Sequence, residues 1–487
     1  MELTGSALSY LLDFLCGRAM PDSGEKPGSD FSVRRGAGST LRSSEISSDA
    51  KGADSMDYRE YPYRVSDGQR ERLRIGYVAD KDEWEHYDIV FVPSGFFDSE
   101  DYASEASLPA GPLPRIEGVP FLYGEARLER LGGRLAVYAD LPASAFVLLS
   151  RYEEICRPSV RDGHGRFPGK ESLLYRNGLI ERALVDEYRD LVWKWAAGLG
   201  FRLPECRPGF GKIWLTHDID APFYCRGLRA FARESLKGKG VGAALRWACG
   251  SKEKDPYYTF DFFCRTDNAV ARSASCPVQA VYFLKAGGTA SQDRPFYNLK
   301  SRDMQGLISF LRAQGAVFGL HGSYSSGKDG KGCAQEKARI EDALQEKTFR
   351  FRQHFLRSCE PSAFACLEEN GLREDFTMGY ADVAGFRLGT SRAVRWINPY
   401  TGELSELILH PLLVMDNTLY QYMEMGYEES QACCERLLGE AYRHGGDACL
   451  LWHNSSVAEG PYPAAPVDWL RKLYVDLCRE LESWQNK

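Results

Sequence analysis

Several features that would place this chain in a familiar class are missing from its sequence. Its 14 cysteines form no CxxC pair, and only Cys433 and Cys434 are adjacent. The clustered spacing of a zinc ribbon or a disulfide framework is therefore absent. No run of Lys and Arg stands out and the net charge is -7 at pH 7, so a nucleic-acid partner is not indicated.

Signals for secretion or membrane insertion are missing as well. No stretch approaches the roughly 20 apolar residues that a membrane helix needs. The N-terminal segment MELTGSALSYLLDFLCG has an apolar stretch but no basic n-region and no small-residue cleavage site. We therefore expect a cytoplasmic protein with reduced cysteines and no membrane span.

Three parts can be distinguished along the chain. Residues 1–57 begin with a short amphipathic helix over 1–16, and a flexible segment rich in Gly, Ser, Asp and Arg follows it. Residues 58–206 are predicted to form a smaller N-terminal α/β domain. A Pro- and Gly-containing linker at 202–212 leads into the remaining part, 207–487.

In this last part, strand-like apolar runs alternate with helical stretches. The predicted strands are 212–218, 279–284, 316–321, 349–354, 384–389, 406–412 and 448–453. The predicted helices are 301–314, 335–346, 362–370 and 428–443. Such alternation predicts an α/β fold with a parallel sheet. Seven strands in this length favour a closed or nearly closed βα barrel over an open doubly wound sheet.

Histidines are scarce, and most of them fall at the ends of these strands. The chain has eight, and five lie at or near a strand end: His217, His321, His354, His410 and His453. In parallel βα folds the site is assembled at the carboxyl ends of several strands. Packing alone does not account for an imidazole at so many of them, because buried strands read as apolar throughout.

The first strand ends in LTHDID (215–220). In an extended backbone Asp218 and Asp220 point to one face and His217 to the other. Two carboxylates on one face repel each other unless a cation or a proton lies between them. A metal bound by one carboxylate, with the other acting as general base, satisfies both, although either aspartate could instead cap the following segment.

Two further histidines can complete a metal site with Asp220. His321 closes AVFGLH, and His354 lies in RFRQHFLR. Alternatively, His321 is a loop histidine bonded to the backbone and His354 a satisfied core histidine. Two imidazoles and a carboxylate suit Zn, Co, Fe or Mn with open positions for water and substrate.

The remaining candidates concern proton transfer. His453 ends CLLWH, and histidine titrates in the range needed to protonate a leaving nitrogen. Arg387 in GFRLGT and Asp416 in VMDNT are candidates to orient the base and the acid. Each could equally belong to a structural ion pair.

These motifs, in this order, resemble the polysaccharide deacetylase (NodB-homology, carbohydrate esterase family 4) superfamily. The similarity is closest to a divergent bacterial branch in which a THDxD domain follows a poorly understood N-terminal domain. The motifs that carry it are LTHDID, GLHGSYSS, RQHFLR, TMGYADVAGFRLGT, LLVMDNTL and LWHNS, with DLPASAFVLLSRYEE and DGHGRF in the N-terminal part. The resemblance implies a distorted (β/α)7 barrel, a divalent metal and removal of an acetyl group from an N-acetylated sugar.

Carried over by motif, the resemblance implies a role for each candidate. Asp218 matches the general base, Asp220 and His321 match metal ligands, and Arg387 matches the arginine that pairs with the base. His453 matches the general acid and Asp416 the aspartate that supports it.

Two positions depart from the family pattern. Ile219 separates two aspartates that are adjacent in typical members, and Ser325 stands where a second metal histidine is expected. We predict that His354 replaces that ligand.

The expected function is a metal-dependent hydrolase of carbon–nitrogen (non-peptide) bonds. Zn is the first choice of cofactor, with Co, Fe, Mn and Ni as alternatives. The expected substrate is a carbohydrate or another small acylated molecule. Two other functions stay open: a degenerate barrel that binds glycans without catalysis, and a hydrolase of another C–N or ester bond on the same scaffold.

Overall fold

The structure is a computed structural model, and the chain in it divides into two compact units. It describes residues 1, 3–17, 58–62, 72–201, 208–224, 226, 242, 245, 250–327, 332–358, 361, 363–459 and 466–484. The first unit comprises Met1–Ser159, Ala183–Cys206 and Arg395–Ser405. The second comprises Val160–Arg182, Arg207–Val394 and Glu406–Lys487. The expected domain 58–206 is thus shared between the two units, because its segment Val160–Arg182 packs in the second.

The first unit contains a mixed sheet. The strands of the sheet are β1 (Tyr58–Pro62), β2 (Arg72–Tyr77), β3 (Ile89–Phe91), β6 (Gly124–Leu131) and β7 (Arg134–Ala139). Two further strands, β4 (Arg115–Ile116) and β5 (Val119–Pro120), form a short ribbon of their own. Within the described part of the chain the sheet order is β1-β2-β3-β7-β6. The inner pairs β2–β3 and β3–β7 are parallel, whereas β1 and β6 are antiparallel to their neighbours.

Helices complete the core of the first unit. They are Gly5–Leu15, Leu141–Leu149, Tyr152–Cys156 and Leu184–Gly198. The helix Leu141–Leu149 is buried at every position, and Asp140 caps it by accepting a hydrogen bond from the backbone N of Ala143 at 3.0 Å. The helix predicted over 1–16 is confirmed as Gly5–Leu15. The flexible segment predicted to follow it lies outside the described residues.

The second unit is built on a mainly parallel sheet. Its strands are β8 (Ile213–Ile219), β9 (Val278–Lys285), β10 (Val317–Gly322), β11 (Arg350–Gln353), β12 (Glu374–Asp375), β13 (Val394–Ile397), which spans a division between the units, β14 (Leu404–Leu409), β15 (Val414–Met415) and β16 (Ala448–Leu451). From β14 onward the order is β14-β12-β11-β10-β9-β8-β16-β15. Every neighbouring pair in this run is parallel.

This order follows the chain around the sheet, as it would in a βα barrel. Among the described residues, however, β14 and β15 do not pair with each other. The sheet is a curled half-barrel in a mixed α/β fold. The predicted α/β class is therefore confirmed, but closure into a (β/α)7 barrel is not.

Five helices described in this unit lie between strands of the sheet in the chain: Phe260–Ser273, Arg302–Ala313, Cys333–Leu344, Ala363–Glu369 and Tyr427–Arg443. Leu173–Arg176 comes before the sheet and Trp469–Trp484 after it. Four of the five confirm the predicted helices to within two residues at each end. Arg302–Ala313 is representative: Ser301 caps it through the backbone N of Met304, and its buried stripe repeats at helical spacing over Met304, Leu307, Ile308 and Leu311.

One predicted strand, 384–389, is wrong. Gly385 adopts φ +148° and Gly389 φ +66°, values that break an extended run and favour glycine. The segment packs instead against the Val160–Arg182 part of the unit, where Phe386 N donates to the carbonyl oxygen of Ile180 at 2.8 Å. A Cβ on Gly385 would lie 2.4 Å from that same oxygen, so the close approach requires glycine.

Among the described residues, none of the helices combines the length and the apolar character that are needed to cross a bilayer.

Candidate metal centre

Strand β8 presents its two aspartates on one side and His217 on the other, as the alternation predicted. His217 is buried at the centre of an aromatic cluster, where its Nε2 lies 3.1 Å from Asp267 Oδ2 and its ring 4.0 Å from that of Phe263. Asp218 and Asp220 both face His321, whose Nε2 lies 3.5 Å and 3.3 Å from their nearest oxygens. His217 therefore stabilises packing, and the aspartates share a site.

Asp220, His321 and His354 meet at one point. Nε2 of His354 lies 3.1 Å from Asp220 Oδ1, and the ligand atoms of all three residues lie within 4.8 Å of one another. Each side chain comes from the carboxyl end of a different strand: β8, β10 and β11. The predicted ligand set is thus brought together, with His354 in it.

The hydrogen bonds at the far side of each imidazole leave Nε2 free to bind a metal. His321 Nδ1 lies 3.0 Å from the carbonyl oxygen of Arg352, and His354 Nδ1 lies 3.3 Å from Asp293 Oδ1. Because a carbonyl and a carboxylate only accept, both Nδ1 atoms carry the proton. His321 Nε2 and Asp220 Oδ1 are buried without a hydrogen-bond partner. A cation among these atoms would satisfy them, so the residues fit a divalent metal.

Electrostatics at this point favour the ionised carboxylate. Burial alone would raise the pKa of Asp220, but the neighbouring His354 and His321 lower it well below its usual value. Burial would lower the pKa of His354, but Asp220 and Asp293 raise it to about 9.

Two residues around the ligands were not predicted from the sequence. Asp293 is fully buried, holds His354 Nδ1 and accepts a hydrogen bond from the backbone N of Tyr324 at 2.6 Å. Lys285 ends β9, and its Nζ lies 3.9 Å from Asp220 Oδ1. Burial lowers the pKa of Lys285, although the nearby Asp220 and Asp293 act to raise it. No periodic signal marks Asp293, because it lies in the segment after β9.

Asp218 is paired with an arginine, but not with the predicted one. Arg352 Nη1 donates to Asp218 Oδ1 at 3.0 Å, and the Arg352 side chain is fully buried between the rings of Phe283 and Phe376. Its Nε also donates to the carbonyl oxygen of Phe376 at 3.0 Å. Arg352 stands two residues before His354 on the same face of β11, a spacing that could have identified it.

Arg387 was predicted to pair with Asp218, and this pairing stays a prediction. Among the contacts described for Arg387, its Nη1 donates to the carbonyl oxygen of Gly379 at 2.8 Å, and its guanidinium lies 4.8 Å from the Tyr380 ring centre. The guanidinium that is seen to donate to Asp218 is that of Arg352.

Asp416 and His453 form a tight buried pair. Nδ1 of His453 lies 2.8 Å from Asp416 Oδ1, and the His453 backbone N donates to Asp416 Oδ2 at 2.8 Å. Nε2 of His453 points toward the ligands and lies 3.7 Å from Asp220 Oδ2. Burial would lower the pKa of His453, but Asp416 raises it to about 10. His453 is therefore cationic at neutral pH in this arrangement.

Ser325, the residue at the position of the missing family histidine, contacts the surroundings of the site. Its Oγ lies 3.4 Å from Asp293 Oδ2 and 3.3 Å from Thr289 Oγ1. The serine thus contacts the carboxylate that holds His354, and the replacement of this ligand by His354 stays a prediction.

Comparison with known proteins gives limited similarity. A family of unknown function, DUF7033, matches residues 59–199. No curated protein matches the chain. The crystal structure of a Mycobacterium smegmatis protein described as a polysaccharide deacetylase is similar over 57% of this chain and 86% of that chain, with 12% sequence identity and a TM-score of 0.34.

Proposed function

We propose that the chain is a metal-dependent hydrolase that removes the acyl group from an N-acylated carbohydrate. The observation that carries the proposal is the convergence of Asp220, His321 and His354 between two polar groups suited to proton transfer. One is Asp218 and the other is His453, and both contact members of the ligand set.

The cofactor in this proposal is a divalent ion held by Asp220 Oδ1 and by Nε2 of His321 and His354. Two imidazoles and one carboxylate with open positions suit Zn first, and Co, Fe, Mn or Ni as alternatives. Such an ion lowers the pKa of a bound water and polarises a substrate carbonyl.

Asp218 is proposed as the general base. Arg352 holds one carboxylate oxygen at 3.0 Å, while Oδ2 faces His321 Nε2. The Asp218 carboxylate is the group that would accept a proton from the attacking water. Arg352 keeps Asp218 oriented because its own Nε is fixed to the backbone of Phe376.

His453 is proposed as the general acid. Asp416 fixes its Nδ1, so Nε2 faces the site and carries the proton that the leaving group needs. Water adds its oxygen to the acyl carbon, the C–N bond breaks, and the nitrogen takes the proton from Nε2. The products are a free amine and a carboxylic acid, which releases its proton to solvent and becomes a carboxylate. Transfer of the proton taken up by Asp218 to His453 returns both residues to their starting states.

Two alternative functions were left open by the sequence. A binding module without catalysis was favoured mainly by the missing histidine at position 325, and our proposal assigns the role of that histidine to His354. The sugar itself is proposed from the motif resemblance alone, so hydrolysis of another C–N or ester bond stays an outcome of the test.

The test is an assay of metal-loaded protein on an N-acetylated oligosaccharide, measuring released acetate and free amine together. We expect both products in equal amounts, and loss of both after chelation with recovery on adding Zn. Oligosaccharide binding without acetate release would contradict the proposal and favour a binding module. Turnover of a phenyl ester but no N-acetyl substrate would assign a different bond.

A further inference from the structure

A short turn from the first half of the chain lies beside the metal ligand His354. This turn, residues 162–167, belongs to Val160–Arg182, which packs within the second unit although it falls inside the 59–199 match to DUF7033. Asp162 organises the turn: its carboxylate accepts hydrogen bonds from the backbone N of His164 at 2.8 Å and of Arg166 at 2.9 Å. Gly165 completes it with φ +79°.

Arg166 connects the turn to the residue that follows His354. Its Nη1 donates to the carbonyl oxygen of Phe355 at 2.9 Å, and its Nε donates to Asp162 Oδ2 at 2.7 Å. The arginine is buried. Phe355 and Leu356 have φ +63° and +50°, a left-handed conformation that side-chain-bearing residues adopt only when the surroundings hold it. Arg166 thus forms a hydrogen bond with the strained backbone that directly follows His354.

A second set of contacts reaches the His354 imidazole from the other side. Tyr324 OH lies 3.2 Å from His164 Nδ1, and Tyr324 N donates to Asp293, the carboxylate that holds His354 Nδ1. The His164 ring lies 4.9 Å from that of Phe355. The turn therefore contacts both the backbone beside His354 and the residues that orient its ring.

Arg357 connects the 162–167 turn with Tyr324. Its Nε donates to the carbonyl oxygen of His164 at 2.7 Å, and its Nη1 donates to that of Tyr324 at 2.9 Å. These hydrogen bonds are partly buried, and three of them end on backbone carbonyl oxygens, so we expect a displaced turn to shift the backbone beside His354.

We propose that the 162–167 turn is a positioning element for the metal centre, with Arg166 as its principal residue. The inference rests on the proposed function, because it assumes that His354 binds a metal. It assigns to part of the DUF7033-matched segment the task of completing a site whose ligands all come from the later part of the chain.

The test compares Zn affinity, by competition with a chelating dye, in the full-length wild type, Arg166→Ala and Arg166→Lys. Loss of a group that orients a ligand typically weakens metal binding by about 10–100-fold, and we expect this for Arg166→Ala. Arg166→Lys should fall in between, because it keeps the charge but cannot bond Asp162 and Phe355 in the same way. The visible spectrum of bound Co²⁺ should change in Arg166→Ala.

Arg312→Ala is the matched control, since Arg312 Nη2 also donates to a backbone carbonyl, that of Leu344, at 3.0 Å. It should leave Zn affinity and the Co²⁺ spectrum unchanged. Folded Arg166→Ala with wild-type affinity and spectrum would overturn the inference. If Arg166→Ala does not fold, wild-type behaviour of Arg166→Lys overturns it instead. A wild type that binds no metal is a different outcome, which overturns the proposed function itself.

Discussion

Nε2 of His354 lies 3.1 Å from Oδ1 of Asp220, although the two residues follow different strands of the sheet, β11 and β8. Asp293 holds the other nitrogen of the same imidazole. We proposed that His354, which follows β11, replaces the histidine expected at the position of Ser325. The distance to Asp220 is compatible with that proposal.

Asp218→Asn should abolish most hydrolysis while leaving the metal in place. The amide cannot accept the proton from water, and loss of a general base typically costs about 10²–10⁴-fold in rate. Zn content and the rate of acetate release are measured on the same preparation. Loss of Zn together with activity would instead make Asp218 a ligand, and full activity would remove it from the mechanism.

Arg352→Met should destabilise the metal-free protein. It leaves the Asp218 carboxylate buried without its cation, and breaking a buried pair from one side typically costs about 3–5 kcal/mol. Urea denaturation of chelated protein measures the change in the free energy of unfolding. Asp218→Asn combined with Arg352→Met removes the unpaired charge, so the double variant should recover part of the loss. A double variant no more stable than Arg352→Met would contradict the pairing.

Metal affinity should rise with pH up to about pH 9. Asp220 and Asp293 raise the pKa of His354 to about 9, so below that pH a metal must displace a proton from Nε2. Affinity should therefore be lowest at acidic pH, increase through the neutral range and level off above the pKa. Calorimetry in buffers of different ionisation enthalpy should detect the released proton. Affinity independent of pH between 6 and 9 would contradict this coupling.

In the first unit, Asp140→Ala should lower stability without changing metal affinity. The buried carboxylate caps a helix through Ala143 N and accepts hydrogen bonds from Tyr77 OH at 3.0 Å and Ser94 N at 2.8 Å. Loss of the cap and of these partners should cost about 2–4 kcal/mol. Asp80→Ala is the control, because this exposed cap bonds only Asp82 N at 3.0 Å among the described residues and should cost about 1 kcal/mol or less. Equal losses of stability in Asp140→Ala and Asp80→Ala would contradict the role given to the buried carboxylate of Asp140.

The general arrangement of the second unit could be predicted from the sequence. Apolar runs that end in Asp or His located β8, β10, β11 and β16, because strands buried on both faces leave few places for such residues. Alternation also separated His217 from the two aspartates. These signals come from residues that are close together in the sequence. They were sufficient to predict that Asp220, His321 and His354 lie near one another.

Contacts between distant segments could not be predicted in this way. Arg387 was expected beside Asp218 by motif, whereas the arginine that donates to Asp218 is Arg352, 134 residues away in the chain. Asp293 lies outside any periodic element. The packing of 160–182 in the second unit depends on hydrogen bonds such as that of Phe386 N to Ile180 O, which leave no pattern in the sequence.

The most direct measurement is the metal content and affinity of the purified chain and of His354→Ala, with His410→Ala as control. His410 is another buried histidine at a strand end, but it stacks on Phe376 and lies outside the ligand set. We expect one divalent ion per wild-type chain, unchanged binding in His410→Ala, and a loss in His354→Ala larger than the roughly 100-fold that an orienting group can contribute. A wild type without stoichiometric metal, or His354→Ala with wild-type affinity, would contradict the account.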